Sequence, residues 1–564
     1  MTEHHQIPRT QAQISRAAIQ RLYVSMRHLF LRGGYKPLGV SGESMIEAML
    51  SLKPEIYGLI ADEEKIELEG LLYIFQRLPK GIEQCRYVKL ISREGYDKAH
   101  FQKHVPPRRI RDCYRVDEEQ MFIEMTRGGS DIYDILTHLT FMYIEAEKIR
   151  RNSLDSRGRK NRSWVMLENF VQEMQSGEEI NVEVGLTYLN AILGRTYDEV
   201  AHAYQRFGKS HEVNNLFEIT YWMGKLSMEE YLTQIDREIS FSPALREHLG
   251  HHIYGEKWAN NIKKALWDKN IFHRPIHIIS ANLHSVMNCF YAKSALHKKV
   301  KFENLEQFAE ILSIGTNADL RELVKNFALK NGMIMLSDTS GTNIGVQIFD
   351  TALVDDKTVP DELNFSILDS NSAPVIIVMD YAFGEQAYET MDELLKPYII
   401  DNKRLHLDVQ SINIMGKAGI LEGSKGDIMI PTAHVFEGTA DNYPIKNELS
   451  VESFSDSGLG VYEGTMITVL GTSLQNKDIL NYFLKSSWKA VGLEMEGAHY
   501  QKAIQAASKI RSNISAKVKL RYAYYASDNP LETGSTLASG SLGLDGVKPT
   551  YLITLEMLKG CLTN

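Results

Sequence analysis

Cysteine is scarce in this sequence, with four residues among 564 at positions 85, 113, 289 and 561. No two stand at zinc-ligand or redox-pair spacing, so reduced thiols are expected. Long apolar runs are missing as well. No stretch reaches the roughly 18 apolar residues that span a bilayer, and the opening MTEHHQIPRTQAQ lacks the basic patch and apolar core of a secretion signal. A cytoplasmic chain with no membrane segment is expected. Nor is there a surplus of positive charge. A formal net charge of -9 argues against a generic nucleic-acid binder, which needs a phosphate-neutralising excess. A small anionic substrate stays possible, because a pocket needs only a few local cations. Repeats at solenoid periods and low-complexity tracts are absent too.

Hydrophobic residues (43%) and charged residues (24%) stand in ordinary globular proportion. The length exceeds what one core organises, so two or three domains are expected. In the first half, apolar residues recur at helical spacing (Ile19, Tyr23, Met26, Phe30) until Gly33 and Gly34 stop the run. Amphipathic segments at 131–149, 164–174, 182–193, 228–239 and 305–312 extend the pattern. Residues 1–330 are therefore expected to be mainly α-helical, as one body or as two subdomains joined near 150–162. The basic, aperiodic run RRNSLDSRGRKNR (150–162) suits a hinge or an exposed loop, or else a phosphate site.

The texture changes after about Asn331. Short Val- and Ile-rich runs (MIMLSD, IGVQIF, PVIIVMD, SINIMG, GDIMIP, TMITVLG, KLRYAYYASD) alternate with helical stretches such as 387–395 and 476–484. Such alternation predicts an α/β domain with a parallel or mixed sheet whose strand ends carry the site. Residues 331–372 are read as the boundary and 373–564 as the catalytic domain.

Three strings in that domain carry chemistry. In GLEMEGAHY, a carboxylate at a strand end can accept two hydrogen bonds from a vicinal diol, and a neighbouring methionine offers an apolar face to a sugar; Glu494, Met495 and Glu496 are the candidates. A helix start with an acidic first turn explains the same string. RYAYYASDNPLETG ends a strand on Ser527 and Asp528, where an aspartate can act as a general acid or simply close an Asx turn before Pro530. In INIMGKAGILEG, Gly416 and Gly419 flank Lys417, so backbone and cation could approach an anion together. A solvated lysine is the bland alternative.

In order and spacing, these strings resemble the nucleoside phosphorylase superfamily over 375–564, and within it the AMP nucleosidases of the short bacterial type. Gly416, Lys417 and Gly419 match that family's Gly-Lys-Cys-Gly-Gly turn; Glu437, Gly438, Thr439 and Tyr443 match its Glu-Gly-Thr-x-x-x-Tyr loop; Ser527, Asp528 and Pro530 match its Ser-Asp-x-Pro. The helix AFGEQAYETMDELL falls where the family has a phosphate-loop helix. The resemblance implies a three-layer α/β catalytic domain with a mixed sheet. It also implies cleavage of a purine N-glycosidic bond, in a nucleotide or a nucleoside, and a homo-oligomer. Asp528 would protonate the purine, Glu496 would hold the ribose hydroxyls, Met495 would pack on the sugar and Lys417 would hold an anion. Glu494, Ser527, Gly416, Gly419, Gly384 and Glu385 would complete substrate binding.

No cofactor is implied, although phosphate could serve as nucleophile or ligand. Hydrolysis to free base and ribose phosphate competes with phosphorolysis, and both compete with a non-catalytic nucleotide sensor. The sensor is suggested by one departure: where the family has a Gly-x-Gly turn, Asp380, Tyr381, Ala382 and Phe383 precede a single Gly384, and side chains there would crowd a phosphate. Ile420 likewise replaces the family's second glycine after the lysine. Glu385 or Asp380 could activate water. His248, His251, His252 and Glu256 offer helical i, i+3, i+4 spacing for zinc, but a polar interface helix is the preferred reading, as are structural roles for His277 and His284. No metal site is assigned.

Overall fold

The computed structural model describes residues 9–209, 213–300, 305–354, 372–532 and 542–562, with positions 359 and 363. The chain forms two compact units. One comprises 1–126, 131–251 and 473–479; the other comprises 127–130, 252–472 and 480–564.

The first unit is largely helical, as expected. Its opening helix Gln11–Arg32 begins with a Thr10–Gln13 capping box and ends at Gly33. The helix Val182–Leu193 has the predicted bounds. Two expectations need correction. The segment 228–239 is split between the end of the helix Leu216–Thr233 and the strand Glu238–Phe241. That strand belongs to a six-stranded mixed sheet with Gly34–Tyr35, Tyr87–Ile91, Gln102–His104, Cys113–Arg115 and Gln120–Glu124. Strands of two to five residues are too short to display an alternation, so the pattern of the first half reads as helix alone.

The second unit holds a ten-stranded mixed sheet. In chain order its strands are β1 (Ile276–Ser280), β2 (Met333–Leu336), β3 (Val346–Asp350), β4 (Val375–Met379), β5 (Val409–Ile420), β6 (Ile428–Phe436), β7 (Asn442–Pro444), β8 (Val461–Thr468), β9 (Ala490–Glu494) and β10 (Lys519–Asp528). Apart from residues 127–130, the unit thus runs from His252, well before the expected boundary at 331–372: β1 lies between β4 and β5, parallel to both, and β2 and β3 fall inside the supposed boundary.

Five strands close a circle. β5 pairs with β10, β10 with β6, β6 with β8, β8 with β9, and β9 returns antiparallel to β5. Closure brings backbones close together. A Cβ on Gly492 of β9 would lie 2.4 Å from Met429 Sδ and 2.8 Å from the Gly419 carbonyl oxygen, so only glycine fits that crossing.

Helices cover the sheet according to strand alternation. Ile278 of β1, Ile377 of β4 and Tyr522 of β10 pack with α1 (Ile253–Asp268), α5 (Gln386–Leu394) and α6 (Gly497–Gln505). Their neighbours Ile279, Ile376 and Ala523 pack in a second cluster with α2 (Leu283–Leu296), α3 (Leu305–Ser313), α4 (Ala318–Lys330) and α7 (Val547–Leu562).

Candidate functional site

The register around Gly419 organises the candidate residues. Gly419 of β5 stands opposite Leu493 of β9 on one edge and opposite Asp528 of β10 on the other, with a bulge between Ala418 and Gly419. Strands lie about 4.8 Å apart, so Leu493 and Asp528 stand about 10 Å from each other across Gly419, and the Glu494–Met495–Glu496 string follows directly on Leu493. The two strands that carry these strings thus border the same residue of β5 on opposite edges.

Glu494, the last residue of β9, is buried. Its carboxylate accepts hydrogen bonds from the Thr468 hydroxyl and from the backbone N–H groups of Glu496 (2.5 Å) and Gly497. Burial, with the charge of Glu496, pushes its pKa up to about 8. A carboxyl so fully engaged shapes the entry to α6. Glu496 is half-buried and holds its Oε1 on the Gly384 N–H at 2.9 Å. Burial raises its pKa to about 7, partly offset by that N–H and by the Arg127 guanidinium. Met495, also half-buried, lies between the two acids.

Asp528 and Ser527 are both buried at the end of β10. The Ser527 hydroxyl lies within hydrogen-bonding distance of the Ala418 carbonyl (3.0 Å) and of Asp528 Oδ1. The aspartate is thereby tied to β5 one residue from Gly419, which pairs with Leu493 of β9.

Gly384 sits at φ +56°, where side chains are strained, and a Cβ there would lie 2.2 Å from Ser130 Oγ. The N–H of Glu385 donates to that Ser130 oxygen at 2.9 Å, and Arg127 stacks over the Phe383 ring at 4.6 Å. Residues 127–130 thus close over the loop 383–386. Sequence reasoning missed Arg127 and Ser130, because they stand about 250 positions upstream and only Gly128 and Gly129 mark the spot.

The lysine string is arranged differently from its sequence reading. Gly416 and Lys417 lie within β5, which continues to Ile420, and do not form a turn. Gly416 is glycine because the Tyr524 ring passes 2.7 Å from where its Cβ would be. Lys417 is exposed and lines a cavity of about 740 Å³; neither Glu496 nor Asp528 is among the residues of its wall. Glu437 is buried and accepts the Leu470 N–H at 3.1 Å, which ties its loop to the end of β8.

The histidine string does not form one helical face. His252 adopts φ 53° between the helix Pro243–Gly250 and α1, breaking the i, i+4 geometry. The His248 ring meets the Ser92 hydroxyl instead. His252 gathers with Asp392 and Glu393, whose carboxylates also engage Lys396 and Arg511. His277 bonds Ser411 at 2.7 Å inside the sheet. No described helix is long and apolar enough to cross a membrane.

The fold and the strand-end carboxylates together define a two-unit protein whose larger unit is a mixed-sheet α/β fold closed in part into a circle. The chain belongs to the Family of unknown function (DUF6909), whose model matches residues 43–327 and 298–563. No curated protein matches it. Among solved structures it is similar to the futalosine hydrolase of Helicobacter pylori strain 26695, at 14% identity over 51% of this chain and 98% of that one, with a TM-score of 0.30. The 5′-methylthioadenosine/S-adenosyl homocysteine nucleosidase of Campylobacter jejuni matches at 13% identity over 51% and 99%, TM-score 0.30. The AMP nucleosidase of Bacteroides thetaiotaomicron VPI-5482 matches at 15% identity over 54% and 96%, TM-score 0.28.

Proposed function

We propose that the second unit, read as a three-layer α/β domain, is a purine N-glycosidase that hydrolyses the bond between the ribose C1′ and the base of a nucleoside or nucleotide. The observation that carries the reading is the register that sets Asp528 and Leu493, the residue just before the Glu494–Glu496 string, on either side of Gly419. N-glycosidic cleavage passes through an oxocarbenium-like state, which needs a held sugar and a stabilised leaving base. Glu496, anchored by the Gly384 N–H, accepts the ribose hydroxyls, and Met495 packs on the sugar. Asp528 donates to the purine N7. Glu494 is assigned a positioning role, since its oxygens are taken up by Thr468 and the backbone of 496–497.

Water is favoured over phosphate as the nucleophile, because Ser130 fills the space above Gly384 where a phosphate loop would need to be open. The same closure favours a second reading, a nucleotide sensor that binds without cleaving. Purified protein incubated with purine nucleosides and nucleotides, with and without phosphate, separates the readings by chromatography of free base. Release in both conditions supports hydrolysis; release only with phosphate supports phosphorolysis. Ligand binding with no release leaves the sensor.

A further inference from the structure

The cavity beside Lys417 is not used by the proposed chemistry, yet it has the composition of a ligand site. It lies among β5, β10 and the helices α2, α3 and α7, and its volume of about 740 Å³ is within the range of pockets that enclose small molecules. Two permanent cations line it, Lys417 and Arg321, and no aspartate or glutamate does. Asp545, next in sequence to two wall residues, is turned to Lys425 at 2.8 Å. Lys417 has no ion-pair partner among the described residues. Arg321 spends its N–H groups on the carbonyls of Leu312, Ile314 and Gly315, which hold the rim in shape and leave its charge uncancelled.

The wall carries a second polar feature on α2 and α7. Asn288 Nδ2 donates to the Tyr551 hydroxyl at 2.7 Å, so the tyrosine's own proton is directed elsewhere. Asn288, 3% exposed, keeps its Oδ1 without a partner among the described residues. A buried amide oxygen left unmatched in this way costs stability unless a ligand or water meets it. Leu312, Leu542 and Val547 add apolar surface to the wall.

We infer that this cavity binds a phosphorylated small molecule, with the phosphate facing Lys417 and Arg321 and its organic body reaching toward Tyr551 and Asn288. Two uncancelled cations with no acid in the wall suit a dianion, and a phosphate monoester carries a charge of about -1.5 to -2 at neutral pH. The inference does not depend on glycosidic cleavage, since Glu496 and Asp528 are not part of the wall.

Calorimetric titration of the full chain with ribose 5-phosphate, inorganic phosphate and adenosine tests it. Wild-type protein is expected to bind the phosphate ester, Lys417→Met to weaken it at least tenfold at an unchanged melting temperature, and Lys519→Met, which removes an exposed lysine of β10 outside the wall, to leave it within about twofold. Tyr551→Phe should weaken the ester more than inorganic phosphate, because it removes a contact to the body alone. Ester binding that is lost in Lys417→Met while no base is ever released upholds this site and removes the glycosidase. Equal binding by wild type and Lys417→Met, binding weakened as much in Lys519→Met as in Lys417→Met, or no ester binding by wild type would each overturn the inference.

Discussion

Gly384 donates its backbone N–H to the Glu496 carboxylate at 2.9 Å, joining the loop after β4 to the entry of α6 across 112 positions of sequence. The loop's left-handed glycine thereby orients the acid assigned to the ribose. Gly384→Ala combines an unfavourable φ with a collision against Ser130 and is expected to destabilise the protein by about 2 kcal/mol or more in urea titrations. Adding Ser130→Gly should recover part of that loss, by removing the collision and leaving the φ cost. No recovery in the double mutant would show that the contact with Ser130 is not the cause.

Asp528→Asn keeps the shape of the side chain and removes the proton that a general acid delivers. Turnover should fall by about 100-fold or more with little change in ligand affinity. Glu496→Gln should raise KM as well as lower kcat, because hydrogen bonds from the diol to a charged acceptor become weaker. Small and equal effects of the two substitutions on base release would remove both assignments.

Phosphate should be dispensable. With Ser130 seated over Gly384, the rate of base release is expected to be the same with and without inorganic phosphate, and the product to be the free sugar or its own phosphate ester rather than ribose 1-phosphate. Detection of ribose 1-phosphate would reverse the choice of nucleophile.

Glu494 gives a pH signature with a defined sign. Burial raises its folded pKa to about 8, whereas a glutamate in the unfolded chain titrates near about 4.3. Its contribution to stability is therefore fully present below about pH 4 and is lost as pH rises through about 8. Glu494→Gln imitates the protonated form: its carbonyl can accept the N–H groups of Glu496 and Gly497 while its amide donates to Thr468. Urea midpoints of variant and wild type should be close at about pH 4, with the variant gaining as pH rises toward about 8. A gap that is constant with pH would mean that Glu494 folds ionised.

The sequence shows where strands end more clearly than what lies across from them. KLRYAYYASD is a strand from its first residue to its last because both faces are buried from Leu520 onward and its centre, Tyr522–Ala526, is wholly apolar or aromatic. Glu494 and Asp528 end their strands and Glu496 caps the start of α6, where the composition shifts from apolar to acidic. What sequence cannot carry is the partner across space. Gly416 reads as room for an anion, whereas it is room for the Tyr524 ring. Lys417 was grouped with the carboxylates, but alternation along β5 sends its side chain to the cavity beside α7. PIHIIS reads as one isolated run, and only pairing with β4 and β5 makes it a central strand of the second unit.

The circle of β5, β10, β6, β8 and β9 has a consequence for how the chain is made. β10 is the last of the five to leave the ribosome, and it supplies two of the five pairings at once, one to β5 and one to β6. Until residue 528 has emerged, both of those strands present open edges, the state in which strands recruit one another between molecules. The same closing segment delivers Asp528. A nascent chain thus acquires its proposed acid and loses its stickiest surface in one event, so truncations that stop short of β10 should be both inert and prone to aggregate.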